Sequence, residues 1–307
     1  MTTADYALQA VKGIKESFDN AATNDLLQYK NVPIFSYEST SEFTEIFTST
    51  EGMSGVIELA EGQTPPTLTL SDGRSVSLSD KTYGGAIEIT RKMMLQAKDN
   101  TTMIDKFITR QRNQILQTGR QSFLTNVYLL LNDAFAGTYY LAPDGVALAG
   151  THSWVNGNTF SNAGTAALSQ SAWDAVVEIG GAAVDGAGKF RPITYDTIIV
   201  KLGSAAATMA KKLFANGISP TSVADINIYN GTVKVVEVPG ITSANKAFWF
   251  AMDSKIESPL YIGINNMPYL DEPLPQNNGS VRSNMWADYK VGINNMPYGI
   301  FASNGTV

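Results

Sequence analysis

The residues with the greatest chemical reactivity are few, and they form no recognisable catalytic set. His152 is the only histidine, and the chain contains no Cys. A general base or a metal ligand needs partners, and neither a second His nor a thiol exists to supply them. The missing Cys also excludes disulfides and thiol nucleophiles. Because paired carboxylates at a matched spacing, a G-x-S-x-G elbow and a dinucleotide fingerprint are also absent, the sequence predicts no catalytic, cofactor-binding or metal site.

The segment GAGK at residues 186–189 has the composition of a phosphate-binding loop. In that motif the first glycine stands five residues before the second, and a Ser or Thr follows the Lys to hold magnesium. Here Ala183 occupies the first position and Phe190 follows Lys189. The spacing therefore indicates an ordinary turn.

Charge and composition exclude further classes of function. Charged residues make up only 16% of the chain, and the net charge is -6. A net negative chain is a poor ligand for nucleic-acid phosphates, so tight DNA binding is not expected. The N-terminal residues lack a basic region followed by an apolar core, and no stretch approaches the roughly 20 apolar residues of a membrane span. We therefore expect no membrane association, and synthesis in a cytoplasm.

A long hairpin is predicted from residues 67 to 79. TLTLSDGRSVSLSD alternates apolar and polar residues on both sides of Asp72 and Gly73, a dipeptide that favours tight hairpin turns. One face carries only Leu68, Leu70, Val76 and Leu78. An isolated two-stranded hairpin of this kind is marginal in water, so another surface must cover it.

Helical spacing is strongest from residue 103 to residue 135. Apolar residues recur there along one slowly drifting stripe, and the helix would span about 50 Å; the stripe comprises Ile104, Phe107, Ile108, Ile115, Phe123, Val127, Leu130 and Leu131. Residues 4–30 predict either a packed helix or a mobile arm.

An α/β region is expected after this helix. A polar connection from residue 143 to residue 162 carries His152, which we expect at the surface. Helices are predicted at 172–184 and 205–214, buried strands at 197–200 and 246–253, and a hairpin around Asn230 and Gly231.

The segment GINNMPY occurs twice, at residues 263–269 and 292–298. Two copies are too few for a repeat architecture. Proline after Met interrupts a sheet ladder.

The order of these parts resembles the major capsid proteins of tailed phages, which share the Hong-Kong-97-like fold. AEGQTPPTLTLSDG followed by GGAIEITRKMM is similar to the extended E-loop of that family and its return strand. DGAGKFRPITYDTIIV resembles the entry to the axial (A) domain, and WFAMDSKIESPLYIGINNMPYL with WADYKVGINNMPYGIFA resembles the two closing strand segments. The resemblance is nearest to the Mu-like head subunits. It implies that the two copies of GINNMPY end two different strands and each feed an Asn-Asn turn, so that they are equivalent exits.

This resemblance implies an α+β fold with a defined division of the chain. An N-terminal arm and helix would occupy residues 1–50, and the E-loop hairpin with its return strand residues 51–95. The peripheral (P) domain, with its spine helix, antiparallel sheet and polar loop, would occupy residues 96–165. The A-domain, with a central sheet flanked by helices, would follow at 166–255, and closing strands would return to the P-domain at 256–307.

The implied function is that of a structural, non-enzymatic subunit, which forms hexamers and pentamers of itself in an icosahedral head. The head would enclose double-stranded phage DNA without sequence-specific binding, would be assembled in the bacterial host cytoplasm and would become part of the virion. A separate scaffold protein, a portal and a decoration protein are the other partners that the resemblance implies. Residues expected to contact a neighbouring subunit are Leu68, Leu70, Asp72, Gly73, Arg74, Val76 and Leu78.

Two alternatives remain open at this stage. An encapsulin-like nanocompartment would keep the fold and load an enzyme in place of DNA. A hydrolase or binding protein of α+β class would instead place its site in the polar loop around His152. Some family members join subunits by an isopeptide bond from a hairpin Lys, but Lys81 is better interpreted as a solvated side chain.

Overall fold

Two five-stranded β-sheets and one long α-helix organise the described part of the chain. The structure is a computed structural model, and it describes residues 34–53, 56, 58–68, 70–93, 101–215 and 227–306. The predicted N-terminal helix at 4–30 lies outside these residues.

The elements follow one another in this order. Strands β1 to β4 are Ser36–Ser39, Thr44–Met53, Leu70–Ser79 and Lys81–Ile89, and helix α1 is Thr101–Asn132. Strands β5 to β7 are Thr151–Ser153, Thr159–Ser161 and Ala163–Gly164, followed by α2 at Gln170–Gly181. Then come β8 at Thr197–Lys201, α3 at Ala205–Phe214, β9 at Lys234–Val238 and β10 at Trp249–Met252. The last strands, β11 to β14, are Leu260–Leu270, Leu274–Pro275, Val281–Ile293 and Ile300–Ser303.

Helix α1 confirms the long helix predicted from the apolar stripe. It runs for 32 residues without interruption, so it is about 48 Å long. The stripe residues of its second half, Phe123, Val127, Leu130 and Leu131, are all buried. Phe123 packs edge-on against Tyr289 of β13 at 5.0 Å between ring centroids, and Asn126 donates a hydrogen bond to the Tyr289 hydroxyl. These contacts fix α1 on the first sheet.

In the first sheet β1 pairs with β11, β11 pairs with β13, and β13 also pairs with β12 and with β4. All of its neighbours are antiparallel except β1 and β11, which are parallel. Because β11 and β13 come from the last fifth of the chain and β1 and β4 from the first third, this sheet joins both parts of the chain.

The second sheet has the order β7-β14-β10-β8-β9, and α2 and α3 pack against it. Ser169 and Ser204 cap these two helices by accepting hydrogen bonds from Ala172 N and Ala207 N. Gly180 lets α2 approach the following segment, since a Cβ there would lie 2.7 Å from the carbonyl oxygen of Ile193. The predicted helices and the buried strands β8 and β10 are thus confirmed.

Two hydrophobic cores lie on opposite faces of the second sheet. One joins α1 to both sheets and contains Phe123, Leu131, Phe250 and Tyr289. The other lies under α2 and α3 and contains Trp173, Phe214, Trp249 and Phe301. The second sheet is therefore buried on both sides, as the continuous apolar runs in its strands indicate.

The two copies of GINNMPY adopt different structures, so the prediction of equivalent exits is wrong. The first copy lies within β11, with irregularities of register at Ile264/Asn266 and Asn266/Tyr269 where β11 pairs with β13. In the second copy only Gly292 and Ile293 belong to a strand, and the rest forms the connection to β14. Neighbouring strands therefore decide the conformation of this segment, and Pro268 is accommodated by the irregular pairing.

The hairpin predicted around Asn230 and Gly231 is only half correct. Gly231 has a positive φ of 73° and residues 228–231 form a turn, as predicted. Residues 227–229 are not a strand, however, and β9 pairs in parallel with β8.

His152 does not lie in a surface loop, so that prediction is wrong. Its side chain is fully buried in β5, with Nδ1 3.0 Å from Oδ2 of the equally buried Asp144. Nε2 lies 3.3 Å from the Leu148 carbonyl oxygen, and the ring stacks on Phe160 at 5.1 Å. Burial alone would raise the pKa of Asp144, but hydrogen bonds from His152 and from two backbone amides outweigh it and lower the pKa. The polar connection is thus a small folded unit around this pair.

We expect His152→Ala to lower the free energy of unfolding by about 2–4 kcal/mol, because it leaves the buried Asp144 carboxylate without its side-chain partner. Urea denaturation of the unassembled subunit measures this loss. Val155→Ala is the matched control, since Val155 lies in the same connection but is 57% exposed. Equal stability of the two variants would contradict the structural role assigned to His152.

Candidate assembly interface

The hairpin that projects from the first sheet differs from the one predicted. Its arms are β2 and β3, which pair antiparallel from Thr44↔Ser79 to Met53↔Leu70. Asp72 and Gly73 lie inside β3 and form no turn, and Gly73 does not have a positive φ. The two arms are joined by residues 54–69, and a turn occurs at Glu61 and Gly62. The predicted hairpin at 67–79 is therefore the second arm of a longer one.

Gly73 is needed for close approach of the arms. A Cβ at this position would lie 2.5 Å from the backbone oxygen of Ser49, too close for any other residue without movement of the backbone. The ladder shifts register here, between Thr48↔Ser75 and Thr50↔Asp72. Such irregularities bend and twist a strand pair, so Gly73 helps to set the direction of the hairpin beyond it.

One face of the hairpin is exposed along its whole base. Hydroxyl side chains pair across the strands there, Thr44 with Ser79 at 3.0 Å and Thr48 with Ser75 at 3.1 Å. Ile46 stands between these pairs and is 73% exposed. This face of β2 therefore presents one large aliphatic side chain that the described chain does not cover.

The opposite face of the base packs on the chain's own body. Leu78 lies over Gly292 of β13, where a Cβ would be 2.5 Å from the Leu78 Cδ2. Phe47 contacts Tyr261 at 4.7 Å between ring centroids. Part of the surface that was expected to cover the hairpin thus belongs to the same subunit.

A charged cluster holds the root of the hairpin, and we call it the root cluster; it comprises Glu38, Glu45, Asp80, Tyr261 and Lys290. The Lys290 ammonium group is fully buried and lies 3.0 Å from Oε1 of Glu45 and 3.5 Å from Oδ1 of Asp80. It also donates to the Glu42 carbonyl oxygen at 2.6 Å. The Tyr261 hydroxyl faces Oε2 of Glu45 at 2.7 Å and Oε2 of Glu38 at 3.1 Å.

The root cluster has a clear electrostatic signature. Burial raises the pKa of Glu45, but hydrogen bonds from Thr40, Tyr261 and Lys290 outweigh it and hold the pKa below its usual value. Burial and the two carboxylates raise the pKa of Tyr261. A charge-paired lysine under the first arm therefore ties β2 to β13.

A second attachment lies halfway along the hairpin. Arg74 donates from Nε to the Ser153 carbonyl oxygen at 3.2 Å, and the buried Glu51 carboxylate accepts a hydrogen bond from Val155 N. Gly186 leaves room for this contact, since a Cβ there would lie 2.6 Å from the Glu51 carbonyl oxygen. The segment GAGK thus forms a turn beside the hairpin, as its spacing predicted.

Beyond these attachments the hairpin tip projects into solvent. Residues 56 and 58–68, which we call the hairpin tip, are all exposed, including Val56 at 86% and Leu68 at 42%. Gly62 has a positive φ of 82°, and Gln63 N donates to Ala60 O at 3.0 Å to close the turn.

The predicted contact residues divide between the body and the projection. Leu68 belongs to the exposed hairpin tip, while Leu70, Asp72 and Gly73 lie at the N-terminal end of β3, next to the tip. Arg74, Val76 and Leu78 are partly buried on the inner face of β3. Sequence reasoning missed Ile46, which lies on the exposed face of β2.

The acidic character of the hairpin is a signal that sequence reasoning could have used. Between Lys30 and Arg74 the chain has no basic residue but seven acidic ones: Glu38, Glu42, Glu45, Glu51, Glu58, Glu61 and Asp72. Helix α1 has the opposite bias, with Lys106, Arg110, Arg112 and Arg120 against Asp105 alone.

The described residues offer no clear place for catalytic chemistry. Among them, no three His, Asp or Glu side chains are grouped as a metal ion requires. None of the helices described is both long enough and apolar enough to cross a membrane. The dominant surface feature is instead a projecting hairpin with an anchored root.

Solved structures with the same fold are phage capsid proteins. The capsid protein of cyanophage Pam1 matches with a TM-score of 0.51 at 11% identity, covering 89% of this chain and 90% of the other. The capsid of Myoviridae phage XM1 matches with a TM-score of 0.50 at 12% identity, covering 87% and 89%. The mature capsid of bacteriophage PhiM1 gives 0.50 at 12% identity, covering 88% and 84%. The fold is the Hong-Kong-97-like fold of capsid proteins.

The family follows from the sequence itself. Residues 81–303 match the model of a family described as phage capsid protein. Since this is well over half of the chain, the protein belongs to that family. No curated protein matches the sequence. The protein is therefore a structural capsid protein of the tailed-phage type, and neither alternative raised by the sequence is favoured.

Proposed function

We propose that the subunits form hexamers and pentamers in an icosahedral head that encloses double-stranded DNA. The observation that carries this proposal is that the hairpin tip exposes apolar side chains, which no other described part of the chain covers. Laid over a neighbouring subunit, the tip would bury this surface, and many weak contacts would add up over a shell.

Electron microscopy of the purified protein tests the proposal. Shells, tubes or capsomers are expected, and a discrete monomer at all concentrations would contradict it. Particles that contain an enzyme and no nucleic acid would support a nanocompartment in place of a phage head.

The finer assignments extend this proposal. The order of motifs supports a Mu-like subunit, and we propose the predicted division into arm, E-loop, P-domain, A-domain and closing strands with one change. The E-loop begins at residue 44 and not at residue 51, because its arms are β2 and β3. Assembly would take place in the host cytoplasm, with a separate scaffold protein, a portal and a decoration protein as further partners. The DNA would be contained without sequence-specific contacts.

The charge bias suggests which surface of a neighbour receives the hairpin. Glu58 and Glu61 are exposed in the hairpin tip, and Arg110 is exposed on α1. Opposite charges on two copies of one chain favour a head-to-tail contact, which can be repeated around a ring. We therefore propose that the hairpin tip of one subunit lies near α1 of the next.

Charge reversal tests this contact. We expect Glu58→Lys to raise the protein concentration at which assembly begins by about tenfold, because a favourable charge pair becomes repulsive. Arg110→Glu in the same chain should restore much of the loss, and light scattering measures both. Glu257→Lys is the matched control, since Glu257 is exposed outside the hairpin. If Arg110→Glu deepens the defect of Glu58→Lys, these two regions are not in contact.

A further inference from the structure

The centre of the root cluster holds an amine against two carboxylates in a buried site. The Lys290 ammonium group lies 3.0 Å from Oε1 of Glu45 and 3.5 Å from Oδ1 of Asp80, whose side chain is only 4% exposed. Burying such charges is costly unless their polar atoms are well bonded. Among the described residues, however, none donates a hydrogen bond to Oδ1 of Asp80. This oxygen therefore faces the amine without being satisfied by it.

The other oxygen of Asp80 is firmly held. Oδ2 accepts a hydrogen bond from Nδ2 of Asn265 at 2.8 Å, and the Asp80 backbone N–H donates to the Phe43 carbonyl oxygen at 2.8 Å. A donor on one carboxyl oxygen stabilises the negative charge that develops there when a nucleophile adds to the carbon. The carboxyl group is thus fixed, with Oδ2 bound by an amide and Oδ1 facing the lysine nitrogen.

The Lys290 side chain is also held in one direction. Gly263 leaves space for its stem, since a Cβ there would lie 2.8 Å from Lys290 Cγ. The ammonium group donates to the Glu42 carbonyl oxygen at 2.6 Å and to Glu45 at 3.0 Å. Two groups held in contact react far faster than the same groups free in solution, because little freedom of motion remains to be lost. The root cluster thus holds a nucleophile against an acyl group.

We propose that Lys290 and Asp80 form an isopeptide bond within the chain. One ammonium proton moves to the Asp80 carboxylate, because a neutral pair is less costly to bury than two charges. Nζ of Lys290 then attacks Cγ of Asp80, and Asn265 stabilises the negative charge on Oδ2. The Glu45 carboxylate takes the proton that the nitrogen loses and gives it to the Oδ1 hydroxyl, which leaves as water. The products are one amide and one water molecule, and Glu45 is regenerated.

The bond would join the hairpin to the first sheet inside a single subunit. Asp80 stands between β3 and β4, and Lys290 lies in β13. The chain has no Cys with which to form a disulfide. An amide here would supply the same kind of covalent restraint, which limits the freedom of the unfolded chain. Because it joins two residues of one chain, the bond does not depend on assembly, and its test is independent of the proposed function.

Intact-mass spectrometry of the denatured subunit tests the bond. We expect a mass lower than the sequence requires by one water molecule, in a fraction of chains that rises as the folded subunit is incubated at neutral pH. Asp80→Asn should lose ammonia in place of water, since the amide nitrogen is then the leaving group, and Asp80→Ala should keep its full mass. A wild-type subunit that keeps its full mass after prolonged incubation would overturn the proposal.

Tryptic peptides identify the residues that are joined. Trypsin cleaves after Arg74, Lys81 and Arg282, so Asp80 lies in peptide 75–81. A linked Lys290 is not cleaved, so peptide 75–81 should be recovered attached to peptide 283–307. Loss of water with peptide 75–81 free would place the dehydration elsewhere in the chain, and the proposal would be wrong.

The role of Glu45 is tested by the rate of bond formation. We expect Glu45→Gln to slow the loss of water at least about tenfold, because no carboxylate then accepts the proton from the nitrogen. Glu42→Gln is the matched control, since Glu42 contacts Lys290 through its backbone carbonyl, which the substitution keeps. Circular dichroism shows that both variants are folded. Equal rates in the two folded variants would refute this role.

The role of Asn265 is tested in the same way with its neighbour as the control. Asn265→Ala should slow bond formation at least about tenfold, because Oδ2 of Asp80 loses its donor. Asn266→Ala should react at the wild-type rate, since Nδ2 of Asn266 donates to the Asp288 carboxylate instead. A rate for Asn265→Ala that equals that of Asn266→Ala would contradict the assigned stabilisation of charge.

Discussion

Replacing residues 54–69 by Asn-Gly should abolish shell formation and leave the subunit folded. Met53 and Leu70 are paired at the ends of the two arms, so a two-residue turn can join β2 to β3 directly. The hairpin tip is exposed throughout its described residues, and long surface excursions contribute little to the stability of their own domain. We therefore expect a change of less than about 1 kcal/mol in the free energy of unfolding.

The control for this experiment is a deletion of residues 67–79. A hairpin closed at Asp72 and Gly73 would make that deletion harmless to the fold. Here it removes β3, which carries Arg74 at the second attachment and packs Leu78 on Gly292. We expect this variant to be destabilised. Circular dichroism measures whether each variant is folded, and electron microscopy measures whether it forms shells. Normal shells from the chain with the shortened tip would contradict the hairpin contact.

Proteolysis gives an independent measurement of the same contact. Trypsin has no site between Lys30 and Arg74, and Arg74 is held in β3 by Ser153. A protease that cleaves after glutamate can attack Glu58 and Glu61 in the exposed tip. We expect rapid cleavage there in the free subunit and protection in the particle. Equal cleavage rates in both states would contradict the hairpin contact.

Local patterns predicted the helices and most of the strand segments, because the residues on the buried face of a helix or strand are apolar and recur at a characteristic spacing. Phe123, Val127, Leu130 and Leu131 repeat at helical spacing and are buried together. The alternation along β3 was equally informative, since Arg74, Val76 and Leu78 face inward and Ser75 and Ser77 face solvent. The order of such elements was enough to suggest the capsid fold.

Pairing between distant segments could not be predicted in the same way. Asp72 and Gly73 have the composition of a turn, but the partner of β3 lies upstream at 44–53, and Gly73 provides space for Ser49. The identical GINNMPY segments differ because β11 extends along β13 through the first copy, whereas the second leaves the sheet for β14. Lys290 and Glu45 are 245 residues apart, so no local pattern connects them.

Lys290→Met should lower the free energy of unfolding of the subunit by about 3–5 kcal/mol. The methionine side chain fills most of the space, but Glu45 and Asp80 lose the only ammonium group that contacts them in the described structure, and removing one member of a buried ion pair is costly. Urea denaturation of the unassembled subunit measures the loss. A value within about 1 kcal/mol of wild type would show that the root cluster does not hold the hairpin.

Lys211→Met provides the matched control on the surface. Lys211 pairs with Glu237 at 2.5 Å, but its side chain is 58% exposed. Because exposed ion pairs contribute roughly 0–1 kcal/mol, this variant should stay close to wild type. Combining Lys290→Met with Glu45→Leu should recover part of the stability, since the second substitution removes the carboxylate that the first one leaves without its ammonium partner.

The root cluster also predicts how the hairpin responds to acid. The pKa of Glu45 lies below its ordinary value of 4.5 in the folded chain, so protonation favours the state in which the root is detached. Its contribution to stability is present above the unfolded pKa and is lost as the pH falls through the lower folded pKa. We therefore expect the protection of β2 amides against hydrogen exchange, taken relative to the intrinsic rate at each pH, to fall below about pH 4.5 before the two cores unfold, and Glu45→Gln to reduce this dependence on pH. Exchange in β2 that follows global unfolding at every pH would mean that the root cluster is not a separate point of attachment.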